Sequence, residues 1–237
     1  MMITVRRLTT LIASLCAIVA PLAAQAQSDT NACGGLANGV GPFDYRVDRQ
    51  HLPIVESAHF TSVVETLIRG NAGYLGQDID YTLRAFPNHH RALLSAIRYG
   101  EKTKLQKPPH MNYTVDCYLE RAVRFRPDDA VTRMLFAQYL FKQSRPDDAR
   151  AHLQTALSGA KDNAFTHYNI GLVYAEAKDY PRALEQAHKA LALGFGRTQL
   201  REQLVAAGQW KDPEPEAPPG AAAKAPAAAA SDAAAKP

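Results

Sequence analysis

Small and branched residues recur 34 positions apart through the second half of this chain. Ala130 pairs with Ala164, Ala137 with Gly171, Ala149 with Ala183, and Ala156 with Ala190. Phe136 matches Ile170, Leu140 matches Tyr174 and Leu157 matches Leu191 at the same step. A unit this short cannot bury its apolar face alone. Such a period therefore constrains the fold to an array in which each unit covers its neighbour.

The apolar spacing is helical. Phe60, Val63, Val64, Leu67 and Ile68 share one helix face. Gly70 and Gly73 mark a turn, and Pro87 ends a segment because the residue before proline is pushed out of helical geometry. Residues 54–195 read as eight helices in four hairpins: 54–69 with 74–86, 88–101 with 111–125, and two clearer hairpins after residue 130. Asp128 and Asp129 stand before the third hairpin, where a helix N-terminus favours them. Pro146 and Pro181 open second helices, where a missing N–H costs nothing. Gly194 and Gly196 stop the last hairpin. Residues 197–209, with Leu200, Leu204 and Val205 on one side, read as a capping helix.

The flanks differ in composition. Arg6 and Arg7 precede the apolar stretch Leu8–Leu22, and Ala24-Gln25-Ala26 follows it. That order marks 1–26 as a secretory signal cleaved after Ala26. A membrane anchor is the alternative, against which the stretch is short and carries Thr9, Thr10 and Ser14. The mature chain then has 25 basic and 23 acidic residues, a formal net charge of +2. So weak a balance gives no nucleic-acid footprint. Residues 27–52 are polar and glycine-rich and read as an extended N-terminal arm, leaving 53–210 for the helical domain. Residues 211–237 hold 12 Ala and 6 Pro and no large aliphatic residue, the composition of a disordered linker. Two cysteines remain after cleavage, Cys33 and Cys117. In an exported protein they are expected to form a disulfide, with two buried thiols as the alternative.

The period, with Ile170, Gly171, Tyr174, Ala183 and Ala190 at their steps, resembles the tetratricopeptide repeat. Pro127 fits the closing proline of one unit, with Ala122 as its packing alanine. Two places depart from that pattern: His167 stands where a tryptophan is usual and Phe195 where a closing proline is usual. The resemblance covers 130–195 well and 54–127 less closely. It implies an all-α, TPR-like α-solenoid of about four helical hairpins plus a C-terminal capping helix. It also implies binding of a peptide or protein along the concave face of the first helices. Projected here, that face takes Met134, Gln138 and Phe141 from the third hairpin and Phe165, Tyr168 and Leu172 from the fourth. The Lys/Arg/Asn clamp that a subset of these proteins uses for acidic tails is reduced to Asn169 and Lys142. The resulting groove is apolar and aromatic, suited to an apolar peptide or a helix.

Little in the sequence assembles as chemistry. His89 and His90 are adjacent, so on a helix they point about 100° apart and do not share a ligand face. Asp78 and Asp80 straddle Ile79 and do not form a close acid/base pair. No phosphate loop and no nucleophile elbow appear. The connection 101–110, with Pro108 and Pro109, carries about six residues beyond the 34-residue unit and is a place for a unit-specific contact. The expectation is a non-enzymatic periplasmic or secreted adaptor, without cofactor or metal, that binds a protein or peptide of the cell envelope. It would bind no nucleic acid and insert into no membrane after signal cleavage. A solute-binding accessory of an envelope transporter, or a structural spacer, is the alternative. A deep closed pocket would favour the solute; an open groove would favour the peptide.

Overall fold

The computed structural model describes residues 32–213. The signal stretch 1–26 and tail residues 214–237 lie outside the described residues. Within them the fold is all-α, with ten α-helices and no strand. None of these helices is long and apolar enough to cross a membrane. After a 3-10 turn at Arg49–His51 come α1 (Leu52–His59), α2 (Ser62–Glu65), α3 (Leu75–Ala85), α4 (His90–Thr103) and α5 (Val115–Phe125). Then follow α6 (Ala130–Lys142), α7 (Pro146–Ala160), α8 (Ala164–Glu176), α9 (Tyr180–Ala192) and α10 (Gln199–Ala206).

Local chemistry places these boundaries. Thr114, Asp129 and Asn163 each accept a backbone N–H from the first turn of the helix they cap, at 3.0–3.2 Å. The two later hairpin turns repeat each other atom for atom. Arg145 N donates to Leu140 O at 2.9 Å, and 34 residues on Asp179 N donates to Tyr174 O at 2.9 Å. Ser144 and Lys178 sit between at φ 59° and 60°, the left-handed conformation that closes such a turn.

Neighbour relations repeat as well. α6 packs along α7, and α8 along α9. α8 also touches α6 and α7, α6 touches α4 and α5, and α4 touches α2 and α3. α10 lies across α8 and α9. One hydrophobic core runs through all of this, from Phe60 and Val64 to Leu200 and Leu204. The small residues sit at the crossings: Ala137, Ala149 and Ala183 are fully buried, and Ala156 and Ala190 nearly so. Gly171 shows why. A Cβ there would stand 3.5 Å from Ala183 O and 3.3 Å from Gln186 Cβ, and would run into the Leu200 methyl of α10. The glycine thus admits the last helix as well as α9. Ala149→Leu or Ala183→Leu should each cost about 1–3 kcal/mol by overpacking. Urea denaturation checks this, and near-neutral behaviour at both sites would contradict the packing described.

Two stretches depart from the sequence expectation. The single helix expected over 54–69 is two pieces, broken at Phe60–Thr61, with Thr61 extended. The carbonyls of Ala58 and His59, which a continuous helix would use internally, accept from Asn71 Nδ2 at 2.9 Å and Thr82 Oγ1 at 3.4 Å. The connection after α4 folds back on the first hairpin. Met111 and Pro108 are buried, a Cβ at Gly76 would run into Pro109 O, and Tyr74 stacks on His110 at 4.0 Å. With this segment interposed, α4 and α5 meet more sparingly than the later pairs.

The arm is bound tightly for a segment without periodicity. Cys33 and Cys117 stand at disulfide distance, with Cα atoms 5.0 Å apart. The buried Arg121 donates from Nη1 to the carbonyls of Cys33, Gly34 and Gly35 at 3.0, 3.3 and 2.5 Å. Further along, Asn88 Nδ2 donates to Asp44 at 2.8 Å and to Asp129 at 2.9 Å, while Arg46 and Arg126 donate to Asp44. Those donors, Arg46 first, hold the Asp44 carboxyl far below the usual carboxylate range despite burial.

Candidate functional site

α6 lies against both α4 and α8, and polar contacts link the three. Lys142 Nζ donates to Glu101 at 2.8 Å, joining α6 to α4, and Gln138 Nε2 donates to Glu176 at 3.1 Å, joining α6 to α8. Between α6 and α8 lies a hollow of about 590 Å³. Gln138, Phe141 and Lys142 line it from α6, Val173 and Glu176 from α8, and Lys178 from the turn beyond. Its volume lies within the range of roughly 300–1,000 Å³ common to ligand pockets. The chemistry is an apolar floor with a rim of both charges, which can hold an apolar side chain but activates nothing by itself.

The six residues projected onto this face have different fates. Gln138 and Phe141 line the hollow together. Met134 and Tyr168 are buried at 7% and 3% exposure and belong to the core, so they offer no open strip on adjacent hairpins. Leu172 is half-buried and packs against that core. Phe165 is half-exposed and lies away from the hollow, its ring 6.0 Å from Phe195. Periodicity gives the angle of a side chain on its own helix, not how far the next hairpin covers it. Ala177 and Lys178 also escape a face-by-face reading, because they belong to the hairpin turn. Their repeat partners Gln143 and Ser144, 34 residues earlier, carry the only signal that would have found them.

The polar groups that tempted a chemical reading are held inside the fold. His89 is fully buried and caps α4: its Nδ1 accepts from Ala92 N at 3.1 Å, which leaves the proton on Nε2 for Glu56 Oε1 at 2.9 Å. His90 Nε2 faces Asp129 at 2.8 Å on a different element. Asp78 accepts from His59 and from the backbone of Asn71, Ala72 and Gly73, which closes the turn before α3. Asp80 points the other way and accepts from Tyr118, Arg84 and Asn112. His167 bridges Gln186 and Lys161 O at 2.8 Å each. Among the described residues no three His, Cys, Asp or Glu side chains converge as a metal site requires.

The His89 environment carries a pH dependence with a definite sign. Burial pushes its pKa below the ordinary 6.5, outweighing the Glu56 carboxylate that raises it. Protonation would also place a proton on the capping Nδ1. As pH falls below about 6.5 the unfolded chain takes up protons before the native one, so stability falls with pH. Burial also lowers His152, with Arg133 acting the same way, and it adds to the loss in the same direction. The lowered carboxylates Glu56 and Asp44 add theirs only at lower pH. Thermal midpoints from pH 7.5 to 5 should fall, and His89→Gln should flatten that fall while lowering the midpoint at pH 7.5. An unchanged slope in the variant would remove His89 from the account.

The sequence matches no protein-family model, and no curated protein matches it.

Proposed function

We propose that this chain is an exported tetratricopeptide-type adaptor. In this reading four helical hairpins stack as a short solenoid capped by α10, and the face of α4, α6 and α8 binds a protein or peptide of the cell envelope. The observation that carries the reading is the hollow between α6 and α8, where Phe141 and Val173 line open space within a face otherwise tied by Lys142–Glu101 and Gln138–Glu176. An apolar anchor of an extended or helical partner fits such a place, with the charged rim setting its register. The repeated turns and small residues at the crossings support the repeat architecture. The cysteine pair supports an oxidising compartment. The non-enzymatic part of the reading rests on the internal partners of His89, Asp78 and Asp80, which commit these groups to the fold.

Selection of peptides from a displayed random library against the purified chain tests the reading. The selected peptides should share an apolar anchor and lose affinity at least about tenfold for Phe141→Asp, the loss typical of a central anchor contact. Equal affinity for both proteins, with the helical circular dichroism unchanged, would place binding elsewhere.

A further inference from the structure

A second hollow, of about 320 Å³, lies at the other end of the described fold beside α8, α9 and α10. Its walls are mainly aromatic and basic, with Tyr168, Phe195, Trp210, Arg197 and Arg201, and one acid, Asp212, stands among them. The chain itself runs along its rim. After α10, Gly208 takes φ 67° and turns the backbone, and Gln209 and Trp210 donate to Leu204 O. Trp210 lies edge-on to His188, whose Nε2 donates to Lys211 O at 2.8 Å. Asp212 accepts from Trp210 Nε1 at 3.0 Å, and Pro213, the last described residue, lines the hollow.

The basic side chains at this hollow have few partners. Arg197 forms no ion pair among the described residues, and Arg201 lies over the Trp210 ring at 5.2 Å with only a distant Asp212 at 3.9 Å. Directly after Pro213 the sequence reads Glu214-Pro215-Glu216-Ala217-Pro218-Pro219.

We infer that this hollow is the docking site of residues 214–219 of the same chain. The segment matches it in two respects. Proline rings pack on aromatic walls, and a proline-rich backbone loses little freedom on binding. Glu214 and Glu216 bring two carboxylates to Arg197 and Arg201. Covalent attachment at the rim makes the encounter intramolecular, and six residues at 3.1 Å each span about 19 Å. The docked segment would lie against Leu191, which lines the hollow and is 39% exposed. An array end has no neighbour to cover it.

Trp210 is the only tryptophan, so its quenching by acrylamide in the full chain reports the site. Glu214→Arg with Glu216→Arg should lower the docked population roughly fivefold, the scale that two exposed ion pairs can give, and raise quenching accordingly. Combining this change with Arg197→Glu and Arg201→Glu should return quenching toward wild type. Wild-type quenching should stay constant over a hundredfold dilution. Unchanged quenching in the glutamate variant, or no return in the combined variant, would overturn the inference. Quenching that rises on dilution would assign the hollow to a second copy and overturn it too.

Discussion

Serine at both Cys33 and Cys117 is expected to lower stability by about 4.5 kcal/mol, the chain-entropy figure for a loop closed across 84 residues. The effect acts on the unfolded chain. In the native state the arm keeps its other attachments: Arg121 on three carbonyls, Phe43 N on Ala85 O, and the Asp44 cluster. The variant should therefore fold to the same helical content and unfold at a much lower urea concentration, with a larger m-value as its unfolded state opens further. Urea denaturation of both proteins under non-reducing conditions checks this. A loss below about 1 kcal/mol would mean that the unfolded chain gains little when the link is removed. Two free thiols in the exported wild-type protein would mean that the bond does not form at all.

The second large effect separates core from surface on a single helix. Met134→Asp places a carboxylate in the core without a partner and should cost about 3–5 kcal/mol, enough to unfold a marginal domain. Phe141→Asp, two turns along α6 and half-buried at the edge of the hollow, should cost less, about 1–2 kcal/mol. Thermal melts followed by circular dichroism distinguish them. A native melt for Met134→Asp would mean that α6 is rotated relative to the described packing.

That contrast shows what sequence reasoning reaches. The all-α character was legible because a 34-residue recurrence of small residues has few physical solutions, and Asp129, Pro146 and Pro181 announce helix starts. Gly171 was legible as a small-residue step of the period, but Leu200 as its neighbour was not, because the capping helix lies outside the repeat. The break at Phe60–Thr61 was hidden because its cause, Asn71 and Thr82 capturing the freed carbonyls, lies in the next element. The arm has no period, so the bonds that Asn88 makes to Asp44 and Asp129 could not be anticipated. On the candidate site, Gln138 and Phe141 were within reach of a helical projection. Met134 and Tyr168 were not separable from them, since burial depends on the neighbouring hairpin.

Site-specific photo-crosslinking in the cells that make the protein tests the adaptor reading most directly. A benzophenone amino acid at Phe141 samples the hollow, and one at the exposed Ile54 or Val47 samples surfaces on the first hairpin and the arm. The adaptor reading predicts one dominant adduct from position 141, identified by mass spectrometry as an envelope protein and suppressed by excess selected peptide. It predicts no such adduct from 54 or 47. No adduct at 141, or the same adduct from all three positions, would contradict a partner-binding face on α4, α6 and α8.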